Sequence, residues 1–182
     1  MQLEDYEITA TLTEESDDGK ANSVIESTHE VYDFDKLTEK VAELYRGKKP
    51  LCSCDALYIK DNDNIYLIEF KNVISSNVPR KSLRYKAYDS IMTLQCAYDS
   101  SLSINDIKHK VTFIFVYNNA AGRPELTHSQ SMKQMKNKMY KWAKEPRVIL
   151  YDLEIYKGVF YKDIYTVDKS EFIDDIWDEI FG

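Results

Sequence analysis

The feature that constrains this chain most is a pair of apolar runs around a short polar segment, in the stretch SCDALYIKDNDNIYLIEFKN. Residues 51–59 and 65–71 predict two strands of a hairpin, with KDNDN between them. Each run contains charge: Asp55 lies in the first, and Glu69 and Lys71 lie in the second. Burying a charge is costly unless the charge is paired or binds a metal ion, so these three residues need partners.

The length of the loop decides which face of the hairpin each charge occupies. If KDNDN is the whole loop, Asp55 falls directly opposite Glu69, and Lys71 lies on the same face. Directly opposed residues have Cβ atoms about 4.5–5.5 Å apart, so two carboxylates would meet beside one ammonium group. The same register pairs Ile59 with Ile65 and Leu57 with Leu67. A loop of two or four residues would shift the register by one residue and separate the two carboxylates.

The same three charges also have a purely structural interpretation. Asp55 and Lys71 could lie at strand ends, with Glu69 paired to Lys71 at the rim of the sheet. Each residue taken singly favours this interpretation. The three residues together favour a site, because strand residues with no chemical role have no evident need for opposed carboxylates.

An Asp on one strand followed by Glu-x-Lys on the hairpin partner resembles the signature of the PD-(D/E)XK nuclease superfamily. The matching residues are Asp55 and Glu69-Phe70-Lys71. The resemblance implies a restriction-endonuclease-like core over residues 35–117 and metal-dependent hydrolysis of phosphodiester bonds, with DNA favoured over RNA. It implies that Asp55, Glu69 and the backbone carbonyl of Phe70 bind Mg²⁺ or Mn²⁺ through hard oxygen ligands. Lys71 would orient the attacking water or stabilise the developing charge.

The resemblance also implies contributions from two helices. Members of the superfamily often add a glutamate from the first helix, for which Glu43 is preferred and Glu39 is the alternative. The helix after the hairpin often contacts the substrate, and its basic residues in this chain are Lys81, Arg84 and Lys86. These side chains could meet phosphates or form an ordinary exposed face.

The chain departs from the family pattern in three places. Cys54 replaces the proline, and no strongly basic groove is evident beyond the two lysine-bearing helices. Only Gly47 to Pro50 separates the first helix from the hairpin, which is too short for the extra strand that the family usually places there, unless EVYDF before the helix takes that role.

The remaining pattern predicts an α/β fold, in which a central mixed sheet is flanked by helices on both faces. Asp35 is the predicted N-cap of the first helix, Pro79 opens the second, and the apolar run 111–117 is typical of a strand covered on both faces. The other predicted elements are a Met-rich helix around residues 132–144, strands at 147–153 and 159–167, and a last helix capped by Asp168 with Glu171.

Length and composition predict a single domain over residues 1–182, in which residues 1–22 form either an exposed, flexible acidic arm or an edge hairpin with TATLT as a short strand. No segment approaches the roughly 20 apolar residues that span a bilayer, and the N-terminal residues lack an apolar signal-peptide core, so a cytoplasmic protein that does not bind membranes is expected. Cys52, Cys54 and Cys96 are too few for a disulfide framework and are predicted to be free thiols.

The net charge of −7 is unevenly distributed: −10 in residues 1–35, −5 in residues 168–182 and +8 in the middle. The acidic total argues weakly against a nucleic-acid partner, but the basic middle could steer one locally, whereas the acidic termini suit a basic protein partner. The alternative function is therefore a catalytically silent, nuclease-like binding module, such as an immunity or regulatory protein. The oligomeric state is not predicted, although a dimer would be compatible with cleavage of two strands.

Overall fold

The computed structural model of the chain describes residues 9–17, 23–44, 49–97, 103–121 and 148–182. Six strands in these ranges form one sheet, and their order in the sheet is their order in the chain. They are β1 (Thr9–Thr11), β2 (Glu30–Asp33), β3 (Ala56–Asp61), β4 (Asn64–Lys71), β5 (Val111–Tyr117) and β6 (Asp163–Asp168). Neighbouring strands are antiparallel from β1 to β4, whereas β4, β5 and β6 are parallel.

Helices lie between some of these strands and after β6. The helices are α1 (Leu12–Glu15), α2 (Phe34–Leu44), α3 (Arg80–Ala97), α4 (Ile104–Lys110), α5 (Lys169–Glu171) and α6 (Trp177–Phe181), with a π-helical turn at Phe172–Ile176 and 3₁₀ turns at Ser75–Asn77 and Glu154–Tyr156. α3 and α4 lie in the crossover between the parallel strands β4 and β5, a connection that parallel strands require. None of the helices within the described ranges is long and apolar enough to cross a membrane.

The sheet separates two apolar clusters, so the predicted mixed sheet with helices on both faces is confirmed. On one face, Leu67 and Phe113 pack with side chains of α2, α3 and α4, and we call this the α3 face. On the opposite face, Ile68 and Ile114 pack with side chains of α1 and the C-terminal helical segments. Every residue of β5 is buried, as expected of a strand covered on both faces.

The register of the β3–β4 hairpin is the predicted one, but the loop is not. Ile59 pairs with Ile65 and Leu57 with Leu67, whereas the strands extend further and Asp61 pairs with Asn64. The turn therefore holds two residues rather than five. An irregularity between Ile59 and Asp61 places one extra residue, Lys60, in β3. A bulge offsets the one-residue shift that a two-residue turn would otherwise produce, and the apolar faces stay in register.

The N-cap of α2 is Asp33, whereas the sequence predicts Asp35. The helix begins at Phe34, and the backbone N–H of Lys36 donates a 2.8 Å hydrogen bond to Asp33 Oδ1. Lys36 Nζ also lies 2.6 Å from Asp33 Oδ2. Both aspartates precede an apolar-periodic segment, and the helix starts earlier because Phe34 is itself part of the buried cluster.

Replacing Asp33 by alanine is expected to lower the free energy of unfolding by about 1–2 kcal/mol, because the first turn of α2 loses a side-chain cap. Urea denaturation of the wild type, Asp33→Ala and Asp35→Ala measures the effect. A larger loss of unfolding free energy in Asp35→Ala than in Asp33→Ala would show that Asp33 is not the N-cap.

Near the C-terminus, the strand predicted at 147–153 does not form in the described part, residues 148–153. Tyr151 and Asp152 adopt φ values of 62° and 60°, which strands do not accommodate. The second predicted strand, 159–167, is shortened to β6, and the capping box of Asp168 and Glu171 is present as predicted. The predicted Met-rich helix lies outside the described residues.

Part of the predicted acidic arm is described. Residues 9–11 form β1, which pairs with β2, and Leu12 is fully buried against the sheet. The ends of the arm, residues 1–8 and 18–22, lie outside the described ranges.

Candidate functional site

Asp55 is positioned by three backbone groups at the point where the chain enters β3. Its N–H donates to Ile68 O at 3.1 Å, and its carbonyl accepts from Phe34 N at 3.0 Å. Its carboxylate oxygen Oδ2 accepts a 2.6 Å hydrogen bond from Phe70 N, one residue beyond Glu69. The Asp55 side chain thus accepts the Phe70 N–H, which a backbone carbonyl would accept in a continued strand pair. This hydrogen bond fixes the carboxylate beside β4.

The segment that leads to Asp55 is fastened to α3. Cys52 N donates to Asp89 Oδ2 at 3.1 Å, and Cys54 N donates to Ser90 Oγ at 2.9 Å. These two hydrogen bonds hold the segment before β3 against one flank of α3. Lys86 precedes Ser90 by one helical turn on the same flank, so its side chain is directed to Asp55.

Glu69 and Lys71 lie on the α3 face, because side chains alternate along β4 and Leu67 belongs to that face. Glu69 is fully buried. Lys71 Nζ lies 3.0 Å from Glu69 Oε1, and the Lys71 side chain is 33% exposed. The structure therefore brings together all three predicted residues, Asp55, Glu69 and Lys71, at one end of the hairpin.

Lys86 lies between the two carboxylates, a placement that the sequence analysis did not anticipate. Its ammonium Nζ is 3.0 Å from Asp55 Oδ1 and 2.7 Å from Glu69 Oε2. We refer to Asp55 and Glu69 as the carboxylate pair. One cation thus bridges the pair, which offsets the repulsion between two close acids.

Burial and the neighbouring Asp55 carboxylate raise the pKa of Glu69 to about 8, against the lowering effect of Lys86 and Lys71. Burial alone would lower the pKa of Lys86, but the charges of Glu69 and Asp55 outweigh it and raise the pKa above its ordinary value. Glu69 Oε1 is within ion-pair distance of Lys71 but outside hydrogen-bond geometry, and among the described residues it is the buried side-chain oxygen left without a hydrogen bond. This oxygen is therefore under-satisfied, since it has an ion pair but no hydrogen bond.

The glutamates predicted from the first helix occupy exposed positions on α2. Glu39 and Glu43 are both exposed. The acid of α2 that interacts electrostatically with Asp55 and Lys86 is Asp35, at the start of the helix, which accepts a hydrogen bond from the Ser53 hydroxyl. Burial raises the pKa of Asp35, partly offset by Ser53 and Lys86.

A second acid, Glu15 of α1, interacts electrostatically with Asp33, Asp55 and Asp35. Burial, together with the charges of Asp33, Asp55 and Asp35, raises the pKa of Glu15 to about 8. The folded state therefore binds a proton at Glu15 more tightly than the unfolded state, whose glutamate pKa is near its ordinary value.

The unfolding free energy is expected to decrease as the pH rises from about 4.5 to about 8, because an acid with a raised folded pKa stabilises the fold only while it holds its proton. Glu15→Gln should make this decrease smaller by about 1–2 kcal/mol. The value is lower than the full pKa shift would give, because the side chain is partly exposed to solvent. Urea titrations at pH 5 and pH 8.5 compare the wild type with Glu15→Gln. An identical pH dependence in both proteins would show that Glu15 titrates normally.

The other residues predicted to contact nucleic acid differ from Lys86. Lys81 and Arg84 are exposed on α3. Lys81 Nζ lies 5.8 Å from the centroid of the Tyr85 ring, and the Arg84 guanidinium lies 6.0 Å from that of Tyr156. These two cations are available at the surface, whereas Lys86 points into the site.

The oxygen atoms of the site determine whether it can hold the predicted Mg²⁺ or Mn²⁺. Within the described ranges, no group of three or more His, Cys, Asp or Glu side chains is placed to hold a metal ion. The carboxylate pair supplies two hard oxygen donors. The Phe70 carbonyl points to the Asp55 side of β4, because the N–H of the same residue does so. Mg²⁺ in proteins commonly keeps several waters and takes one or two carboxylates, so the donors fit such an ion.

Comparisons of the chain with protein-family models, with curated proteins and with solved structures find no match.

Proposed function

We propose that this protein is a metal-dependent nuclease of the PD-(D/E)XK type, which hydrolyses phosphodiester bonds in nucleic acid, with DNA favoured over RNA. The observation that carries the proposal is that the carboxylates of Asp55 and Glu69 converge at one end of the hairpin, with Lys71 Nζ 3.0 Å from Glu69 Oε1. Two hard carboxylates that already share a cation, next to a partly exposed lysine, suit a magnesium site for phosphate chemistry.

The surrounding topology supports a restriction-endonuclease-like core. The hairpin β3–β4 is followed by the helical crossover and by β5, which is parallel to β4. The extra strand that the family places before the Asp strand has a counterpart in β2, which pairs with β3 although α2 lies between them in the chain.

In the proposed reaction, Asp55, Glu69 and the Phe70 carbonyl would hold Mg²⁺ or Mn²⁺. The bound ion would lower the pKa of a coordinated water and offset charge on the phosphate. Lys71, whose side chain is 33% exposed, would stabilise the negative charge that develops on the phosphate as water attacks. Lys81 and Arg84 would contact the phosphate backbone from the exposed face of α3.

The test is cleavage of supercoiled plasmid, single-stranded DNA and RNA in the presence of MgCl₂ or MnCl₂, with chelator as the control. We expect cleavage that needs the metal ion and that is faster on DNA than on RNA. Absence of cleavage of all three substrates at millimolar metal would count against the proposal.

A second candidate is a catalytically silent binding module, and one observation favours it specifically. Lys86 already neutralises the carboxylate pair, so the site is stable without a metal ion. In such a protein the acidic terminal segments would bind a basic protein partner. This candidate predicts that the wild type neither binds Mn²⁺ nor cleaves nucleic acid.

A further inference from the structure

We propose that Lys86 is a built-in counter-cation of the carboxylate pair, which a divalent metal ion must displace, so that this one residue sets the metal affinity of the site. The inference rests on the proposed function, because it takes Asp55 and Glu69 as metal ligands.

The first argument is position. Lys86 Nζ is within hydrogen-bond distance of one oxygen from each member of the pair, 3.0 Å from Asp55 Oδ1 and 2.7 Å from Glu69 Oε2. The other two oxygens are already engaged, Asp55 Oδ2 by Phe70 N at 2.6 Å and Glu69 Oε1 by Lys71 Nζ at 3.0 Å, so a cation that uses both carboxylates meets the two oxygens that Lys86 holds. Lys71 differs in this respect, since its ammonium contacts Glu69 alone. The ammonium of Lys86 and a bridging metal ion therefore exclude each other.

The second argument is charge balance. The two carboxylates face two ammonium groups, those of Lys86 and Lys71, so the pair carries no uncompensated negative charge. Adding a dication without removing a lysine would place like charges within a few ångströms of one another in a buried site, where screening is weak. Departure of Lys86 restores the negative charge that attracts the metal ion.

The Lys86 ammonium can also move from the carboxylate pair toward solvent. Its side chain is 18% exposed and is carried on the flank of α3, not on the buried stripe of that helix. A lysine stem is flexible and can move its ammonium toward water without displacing the helix. Asp35, within electrostatic reach of Lys86, provides an acid outside the pair.

Calorimetric titration with MnCl₂ at low ionic strength tests the inference on the wild type, Lys86→Met and Lys86→Gln. Both substitutions are expected to lower the dissociation constant for Mn²⁺ at least about tenfold, because they remove a competing positive charge. Lys36→Met is the matched control. It removes a lysine 2.6 Å from another carboxylate of the same region, Asp33, and should change the dissociation constant less than about threefold.

Thermal unfolding with and without MnCl₂ gives a second readout and shows that each variant is folded. The Mn²⁺-dependent rise in Tm should be larger in either Lys86 variant than in the wild type, since a tighter ligand stabilises more at equal concentration. Use of both Met and Gln guards against one variant that fails to fold.

The outcomes separate this inference from the proposed function. If the wild type binds Mn²⁺ as tightly as both Lys86 variants or more tightly, the role of Lys86 as a counter-cation is overturned. The proposed nuclease function is not affected by that result. Binding by the Lys86 variants but not by the wild type at millimolar metal supports the counter-cation and contradicts a metal-dependent function of the native chain. Absence of binding in every protein overturns both.

Discussion

Replacing Lys71 by methionine is expected to reduce metal-dependent cleavage of DNA by about two to three orders of magnitude without weakening Mn²⁺ binding. Lys71 contacts Glu69 but does not bridge the carboxylate pair. Its proposed task is to stabilise charge that appears only as water attacks, and removal of one such group typically costs a factor of about 10²–10³ in rate. Methionine keeps most of the length of the stem and removes the charge.

Lys110 offers the matched control for this prediction. It pairs with Asp63 at 3.2 Å near the turn of the hairpin, and its side chain is 31% exposed, against 33% for Lys71. Lys110→Met should cleave at the wild-type rate. The initial rate on plasmid is measured alongside Mn²⁺ affinity. Equal cleavage by the wild type and Lys71→Met would mean that the activity comes from a contaminant or from another site.

Neutralising either member of the carboxylate pair is expected to weaken Mn²⁺ binding by at least about 30-fold and to abolish cleavage, because each variant loses one of two anionic ligands. Asp55→Asn keeps an oxygen that can accept the 2.6 Å hydrogen bond from Phe70 N. Glu69→Gln keeps the volume of a fully buried side chain. Both variants are therefore expected to fold.

Calorimetry with MnCl₂ measures this loss, and Asp63→Asn is the matched control. Asp63 is an exposed acid at the hairpin turn, so its neutralisation should leave binding unchanged. Wild-type affinity in both Asp55→Asn and Glu69→Gln would place the metal elsewhere and remove the basis of the proposed function.

The hairpin shows how far the sequence predicts the site. A one-residue slip would move Leu57 and Leu67 to the opposite face of the sheet, so the register is tied to the cluster that each residue joins. The prediction of the register is therefore confirmed although the predicted loop is wrong. The bulge at Lys60 could not be predicted, because nothing in KDNDN distinguishes a five-residue loop from a two-residue turn with an extra strand residue.

The role of Lys86 depends on tertiary packing and was missed for that reason. Its proximity to Asp55 and Glu69 results from the docking of α3 on the hairpin and from the bonds of Asp89 and Ser90 to residues 52 and 54. A signal was nonetheless present: Lys86 and the buried Ser90 are one turn apart on the flank of an apolar stripe. From such a position a lysine stem can run along the apolar stripe and carry its ammonium to the end of the sheet.

The acids of α2 illustrate the same limit. Asp33 and Asp35 both resemble caps, and only the burial of Phe34 decides that the helix starts early enough for Asp33 to serve. Glu43 was preferred because it is nearer in sequence to the hairpin. In space, the beginning of α2 is the end close to Asp55, since Phe34 N bonds to the Asp55 carbonyl.

The most direct measurement of the central claim is the anomalous scattering of Mn²⁺ in crystals of the wild-type protein. We expect one peak between Asp55 and Glu69, bound by an oxygen of each at about 2.1 Å, with Lys86 Nζ no longer within hydrogen-bond distance of both carboxylates. Crystals saturated with MnCl₂ that show no peak at the carboxylate pair, with Lys86 still bridging it, would contradict both the metal site and the nuclease proposed from it.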